Sequence, residues 1–482
     1  MQGAAILKIL GLLLMIFSVT LLPPIGVSLW AGDGEAPHFF YALLSELTVG
    51  LVLWLPVRRH RGDLRVRDGF IVVALFWTVL SLVGALPFLF GPHLSFTEAM
   101  FEAVSGFTTT GATVLIELDE MQPSILYYRQ QLQWLGGMGI IVLAVAIMPM
   151  LGVGGMQLYR AETPGPMKET KLTPRITHTA RALWYIYLGL TLACALAYWL
   201  AGMGVFDAVT HAFTTIATGG FSTHDASLAY FDSGLIEAIA IVFMILGALN
   251  FALHFYAWQA LDPRRYLQDP EARAFLGILV AVTVIVALTL YATGESDTAE
   301  ASLRAALFQV TAVLTTTGYT TADFADWPLF LPFLIITLSF IGGCAGSTAA
   351  GMKVIRTLLL YKQGMREIFR LVHPNASLPI KVGRNVMSDR VIDSVWGFFS
   401  LYIMSTVVLT LVMLGVSGLD PVSSFAAAVA SLNVLGPGLG EVADTFATVT
   451  DAGKWVAIFA MLLGRLELFT LFVLLSPTFW RR

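Results

Sequence analysis

The sequence predicts an all-α polytopic membrane protein of ten spans. Four parallel repeats of span, half-helix, loop and span, in pseudo-fourfold arrangement, follow two extra N-terminal transmembrane helices. Three observations carry that expectation. Apolar residues make up 57% of the 482-residue chain and charged residues 12%, with a mean hydropathy of +0.77, far from the balance of a water-soluble domain. Ten apolar runs are long enough to cross a hydrocarbon core, which takes about 20 residues of helix. A Thr- and Gly-rich segment, SGFTTTGAT at Ser105–Thr113, returns as TTIATGGFS (214–222), VLTTTGYTT (313–321) and SLNVLGPGL (431–439).

The runs, in order, are 4–30, 37–57, 69–90, 129–152, 181–202, 233–260, 274–293, 328–362, 391–416 and 454–477. No small-residue cleavage pattern follows the first, so it reads as a retained span and not a signal peptide. With the second it forms an N-terminal pair, 1–67. The other eight fall into four repeats, 68–170, 171–270, 271–388 and 389–482, each with a shorter apolar run just before its Thr/Gly segment. These short runs are Phe96–Phe107, Phe206–Ile216, Ala301–Leu314 and Pro421–Leu432. They are too short to span and have the length of re-entrant half-helices. The two cysteines, Cys194 and Cys344, both sit in apolar runs, so no disulfide framework is expected.

Charge orients the chain. The segments assigned to the inner side (58–68, 160–181, 262–273, 353–390 and 481–482) contain 23 Lys and Arg residues. The outer segments (31–38, 91–128, 202–232, 294–327 and 420–451) contain one, Arg304, against 19 acidic residues. Basic residues near spans stay on the cytoplasmic side, which places both termini inside and points all four repeats the same way. The acidic outer face would also gather cations, although insertion alone predicts the same asymmetry.

Backbone that is neither helix nor barrel is tolerated at membrane depth only where protein buries it or it lines an aqueous cavity. Four such segments at one depth imply a ring about an axis. A ring of backbone carbonyls can replace the hydration shell of a monovalent cation, glycine permits the torsions required, and threonine hydroxyls offer further bonds. The half-helix before each segment aims the negative end of its dipole at the same place. The residues therefore describe a site for K+ or an ion close to it.

The Thr/Gly loops, GGCAGSTAAGMKVIR (342–356), the GPG of Gly436–Gly438 and GRLELFT (464–470) together resemble the TrkH-type membrane subunits of bacterial Trk potassium uptake systems, within the Trk/Ktr/HKT superfamily. The resemblance covers essentially the whole chain, including the N-terminal pair. It implies K+ uptake across the bacterial inner membrane through a filter at Thr109, Thr110 and Gly111; Ala217, Thr218 and Gly219; Thr316, Thr317 and Gly318; and Val434, Leu435 and Gly436. A glycine at all four centres implies K+ preference. The second and fourth loops depart from the threonine pattern, so carbonyls are the expected ligands there. The resemblance further implies a homodimer and a cytosolic, nucleotide-binding ring subunit with Rossmann-type domains. This chain has no GxGxxG fingerprint, so nucleotide sensing would come from that partner. The chain itself calls for no cofactor, with K+ as the transported ion, and nothing points to nucleic acid. The basic segments 353–390 and 160–181 suit a docked partner or anionic membrane lipid, or simply solvated inner loops.

The run 328–362 is longer than one crossing. Its middle, Gly342, Gly343, Cys344, Ala345, Gly346, Ser347, Thr348 and on to Gly351, is made of small residues that form a poor helix. A broken helix with an intramembrane loop beneath the filter is expected, and the resemblance implies a gate; close packing through small residues is the competing explanation. Arg465 falls within the last run, where burying its charge costs about 2.5 to 3.5 kcal/mol. A place in the pore, hydrogen-bonded to the small-residue loop, would offset that cost, and the resemblance implies the same role. Glu467 is too close along a helix to pair with it. Glu46, Glu237 and Asp393 are expected to be interfacial or helix-paired, and Asn250 and His254 to be satisfied hydrogen-bonders between helices.

Two other classes are disfavoured. Transporters with broken helices show inverted or paired repeats, whereas these repeats are parallel, although K+ symport coupled to H+ or Na+ stays open. An intramembrane enzyme would need a catalytic pair at depth, and the sequence has neither HExxH nor a histidine near Ser347.

Overall fold

The computed structural model describes residues 3–60, 66–142, 176–383 and 385–481. The inner segment 160–181 and the end of the run 129–152 lie largely outside the described residues. Within them the regular secondary structure is helical apart from one short antiparallel hairpin, β1 (Lys381–Val382) and β2 (Asn385–Val386).

The N-terminal pair comprises α1 (Gly3–Val19), α2 (Leu22–Ala31) and α3 (Ala36–Trp54). The first run is thus interrupted at 20–21, just before Pro23 and Pro24, which sit in the first turn of α2 where proline lacks only an amide that would go unbonded anyway. Helices α1 and α3 pack through glycine, for a Cβ on Gly11 would lie 2.7 Å from the Gly50 carbonyl and one on Gly50 2.9 Å from that of Gly11. Small residues of this kind let membrane helices approach closely.

Each later portion of the chain has a short helix whose C-terminal end meets a Thr/Gly loop. First come α4 (Val66–Gly84), α5 (Leu86–Phe90), the half-helix α6 (Phe96–Thr108) and α7 (Pro123–Val142). Next are α8 (Ile176–Leu200), the half-helix α9 (Val205–Ala217), α10 (Gly234–Ala248) and α11 (Phe251–Ala260). After the short α12 (Arg264–Gln268) follow α13 (Pro270–Thr293), the half-helix α14 (Ala299–Leu314), α15 (Leu331–Ile341) and α16 (Val354–Val372). The chain closes with α17 (Asp389–Val416), the half-helix α18 (Pro421–Leu432), α19 (Asp451–Arg465), α20 (Phe469–Leu475) and α21 (Pro477–Trp480). Three half-helices begin at side-chain caps. Ser95 forms a capping box with Glu98, Thr298 accepts from Ala301, and Asp420 accepts from Val422 and Ser423 ahead of Pro421, each satisfying amides that the first turn cannot.

Two more of the expected single spans are bent sharply. The run 233–260 bends by 101° between α10 and α11, and the run 454–477 by 113° between α19 and α20. At the first break Asn250 caps α11 by accepting from Ala252, and the freed carbonyls of Gly247 and Ala248 bond to residues 348 and 344. Tertiary bonds there take over from helical ones. Six described helices are long and apolar enough to cross a membrane, or eight if each bent pair counts as one. Ile16, Leu29, Trp30, Leu192, Leu200 and Leu288 are among many large apolar side chains left exposed, as a surface facing lipid requires.

The half-helices sit in a repeating set of contacts. Helix α7 packs on α9, α10 on α14, α15 on α18 and α19 on α6. The order closes on itself and brings the four loops to one place.

Candidate functional site

The four loops leave their half-helices in the same way. In the first, the Thr109 amide donates to Gly106 O (3.0 Å) and that of Thr110 to Ser105 O (2.8 Å). The pairs Thr218→Thr215 and Gly219→Thr214, Thr316→Val313 and Thr317→Ala312, and Val434→Ser431 and Leu435→Ala430 repeat that pattern at 2.8 to 3.3 Å. Thr109, Thr218, Thr316 and Val434 all have left-handed φ between 50° and 61°. A non-glycine residue bears about 1–2 kcal/mol for that conformation, so the surroundings hold it in place. Two residues later each loop returns to positive φ at a glycine: Gly111 (83°), Gly220 (80°), Gly318 (80°) and Gly436 (96°).

The second loop therefore corrects the sequence alignment by one residue. Gly220, not Gly219, is equivalent to Gly111, Gly318 and Gly436, and the matching triplet is Thr218, Gly219 and Gly220 in place of Ala217, Thr218 and Gly219. Two adjacent glycines left the sequence with no means of choosing; the cap bonds decide. Contacts between loops agree. A Cβ on Gly111 would come within 3.0 Å of Gly219 O, one on Gly220 of Thr317 O, one on Gly318 of Leu435 O, and one on Gly436 of Thr110 O. Each glycine abuts the carbonyl just before the central glycine of the next loop, and the fourth abuts the first.

Behind the loops lies a layer of buried polar braces. Thr108 and Thr110 join hydroxyl to hydroxyl at 2.8 Å, and Thr315 and Thr317 do so at 2.7 Å. In the fourth loop Asn433 replaces the first threonine, accepting from the Tyr402 hydroxyl and donating to Ser339 Oγ. Tyr319, next to Gly318, reaches the hydroxyls of Thr214 and Thr215 on α9. Beyond the first loop Glu102 and Arg129, both buried, form an ion pair at 2.6 Å. Glu102 also accepts from Thr113 Oγ1 and Val114 N, while Arg129 donates to Thr113 Oγ1 and to Ser222 O. Sequence reasoning passed over this pair. Its signal was available, since an ionisable residue inside an apolar run demands a partner.

The small-residue stretch is a loop between α15 and α16 that lies against two of the Thr/Gly loops. Gly342, Gly346 and Gly351 take left-handed φ of 71°, 73° and 76°. Cys344 N bonds Ala248 O, Phe251 N bonds Gly346 O and Val354 N bonds Gly343 O. Thr348 Oγ1 donates to Ile216 O (2.9 Å) beneath the second Thr/Gly loop, and Ala350 N to Thr316 Oγ1 (2.8 Å) in the third. Ser347 turns back on Cys344 O, and Ala345 N donates to Glu271 Oε1 (2.8 Å), which also accepts from Ile355 N (3.2 Å). One carboxylate thus holds both ends of the loop. Arg465 sits not at mid-span but at the C-terminal end of α19, beside the break. Its Nη1 donates to Thr348 O at 3.1 Å, and its Nε and Nη2 meet no hydrogen-bond partner among the described residues. Glu467 instead pairs with Arg356 at 2.9 Å.

The remaining polar positions resolve variously. Glu237 is buried against Arg304 at 2.7 Å, and Asp393 is exposed. Glu46 is fully buried between helices, with no hydrogen-bond partner among the described residues, rather than interfacial. His254 bonds Tyr266 and Leu246 O, while Asn250 serves its own helix as a cap. In the connection after the second loop His224 Nδ1 meets Asp119 at 2.5 Å and Nε2 lies 3.6 Å from Asp207. Burial pulls the His224 imidazole down, but the two carboxylates outweigh it and raise its pKa. No group of three or more His, Cys, Asp or Glu suited to a metal occurs among the described residues.

A family model described as a cation transport protein, TrkH, matches residues 35–482. The chain belongs to this family. Full-length relatives include the Trk system potassium uptake protein TrkH of Vibrio parahaemolyticus, 56% identical with both chains covered completely, and that of Escherichia coli, 52% identical over the same extent. The Escherichia coli protein TrkG is 40% identical over 98% of this chain and 97% of its own. The crystal structure of the potassium transporter TrkH from Vibrio parahaemolyticus superposes with a TM-score of 0.93 at 53% identity, each chain covered in full. Like those TrkH-family transporters, this chain is a membrane protein of many apolar helices.

Proposed function

We propose that the chain is the membrane subunit of a bacterial Trk system and takes up potassium ions through a pseudo-fourfold filter made by the four loops. The cyclic contact of four like-bonded loops carries this reading. In each loop two left-handed residues flank one of ordinary φ, an alternation that turns successive carbonyls to one side. Four such strands about an axis supply stacked rings of carbonyl oxygens for a dehydrated K+, and the half-helix C-termini add their negative dipole ends. The filter positions are 109–111, 218–220, 316–318 and 434–436.

The loop 342–353 is the gate in this reading. Bonded beneath the second and third filter loops and held by Arg465, it occupies the inner side of the ion path. The Arg465 charge there discourages cations from resting below the filter. The four repeats and the N-terminal pair keep the boundaries assigned from the sequence. With α7 and α15 added to the eight apolar candidates, ten spans result. The basic residues of 353–390 support a cytoplasmic face that docks a nucleotide-binding ring subunit, and the family resemblance supports a homodimer in the inner membrane, both termini cytoplasmic.

Flux in proteoliposomes containing the full chain, with K+ and Na+ gradients imposed separately and the potential clamped, tests this. Downhill K+ movement without a second ion, and little Na+ movement, is the expected result. Flux that requires a H+ or Na+ gradient would replace the pore with a symporter.

A further inference from the structure

The second loop lacks what braces the first and third. Where those have Thr108 with Thr110 and Thr315 with Thr317, it has Ala217 and Gly219. The space is filled from elsewhere. Gln133, fully buried on α7 of the preceding repeat, donates from Nε2 to Gly219 O at 2.7 Å and accepts from Phe221 N at 3.1 Å. One turn earlier on the same face, Arg129 holds Ser222 O at 3.3 Å. A Cβ on Gly219 would come within 3.0 Å of the Gln133 amide carbon. Gly219 has no positive φ, so its backbone does not demand glycine. The neighbouring glutamine does.

We propose that Gln133 is a specificity-determining positioning residue, acting through the carbonyl of Gly219. The proposal rests on the reading of the loops as a K+ filter. Gly219 O is equivalent to the carbonyls of Thr110, Thr317 and Leu435, and a carbonyl has two lone pairs, so it accepts the amide and still faces a cation. Without Gln133 this carbonyl belongs to two consecutive glycines, the least restricted backbone available. It then has freedom to close on a smaller ion, and the filter loses discrimination whether that rests on cavity size or on the field of the dipoles. The consequence falls on ion preference and K+ half-saturation before it falls on maximal rate.

Uptake of K+ and of Na+ is measured in cells whose own K+ uptake systems are deleted, expressing the full chain, with assembled protein quantified by gel filtration in detergent. Gln133→Ala is expected to lower the K+/Na+ ratio about tenfold, the scale of one lost hydrogen bond, with a raised K+ half-saturation and a maximal rate changed less than about twofold. Gly219→Thr alone is expected to impair uptake by collision with Gln133. Gln133→Ala combined with Gly219→Thr returns a side chain to the emptied space and is expected to recover the ratio. A purely structural Gln133 would change protein yield or maximal rate and leave the ratio unmoved, which overturns the proposal. Gly220→Ser reports on the filter reading itself. If it shifts the ratio and Gln133→Ala does not, the filter stands and the role of Gln133 falls; if neither shifts it, both fall. Should Gln133→Ala not assemble, Gln133→Met keeps the bulk without the hydrogen bonds and is judged by the same ratio.

Discussion

At the residues on either side of the left-handed position, the first and third loops brace themselves, whereas the second and fourth are braced by their neighbours. In loops one and three a pair of threonines clasps within the loop. Loop two relies on Gln133 and Arg129 from α7, and loop four on Asn433 tied to Tyr402 and Ser339 on two other helices. Yet all four share the same cap bonds and the same alternation of φ. The backbone path is the common requirement. Which side chains hold it is open to local solution, provided each buried polar group finds a partner.

The comparison can be broken hardest at the shared glycines. Gly318→Ala places a methyl against Leu435 O in a left-handed conformation, and the analogous Gly111→Ala does so against Gly219 O. Both are expected to reduce K+ uptake about 100-fold, the equivalent of roughly 3 kcal/mol of strain at the ion site, with the protein still extracted as a folded species. Equal loss from both would show that the ring is shared; loss from one alone would show that it is not.

Next comes the external brace. Arg129→Ala leaves Glu102 buried without its cation, at a cost of about 3–5 kcal/mol, read as a marked drop in thermal unfolding temperature in detergent. Arg304→Ala is expected to shift it by less, since that arginine is 47% exposed and water can reach the Glu237 carboxylate it leaves behind. A smaller effect is expected from the clasps. Thr110→Val and Thr317→Val each remove a hydrogen bond of about 1 kcal/mol and should change K+ half-saturation several-fold and alike, for their loops are built alike.

The smallest effect concerns pH. His224 ties the stretch after loop two to Asp119 beyond loop one, and its pKa is raised from 6.5. A raised folded value means that the contribution is complete below 6.5 and is lost as pH rises through that folded value. Unfolding temperature should therefore decline slightly above pH 6.5 in the wild type, and His224→Ala should flatten that decline. A decline of equal size in the variant would remove His224 from the account.

Local features were legible in the sequence and distant partners were not. The half-helix foreseen at Pro421–Leu432 has those limits in the structure, and that foreseen at Phe96–Phe107 ends one residue later, because caps and hydrophobic length are written nearby. The break at 341 followed from small residues. The breaks near 249 and 466 carry no proline; the first depends on a loop nearly a hundred residues away. The pairing of Gln133 with Gly219, or Arg356 with Glu467, has no periodicity to betray it. Even the register of loop two turned on which loop amides the half-helix carbonyls accepted.

Glu271 bonds the small-residue loop near its start, at Ala345, and the first turn of α16 at Ile355. Its two hydrogen bonds make the intervening nine residues a closed link, stitched at the neck. Uncoiling such a link from one end costs the bond at that end while the other still holds. A displacement of the loop therefore loads the first turn of α16, where Ile355 sits, and a displacement of α16 loads the loop in turn.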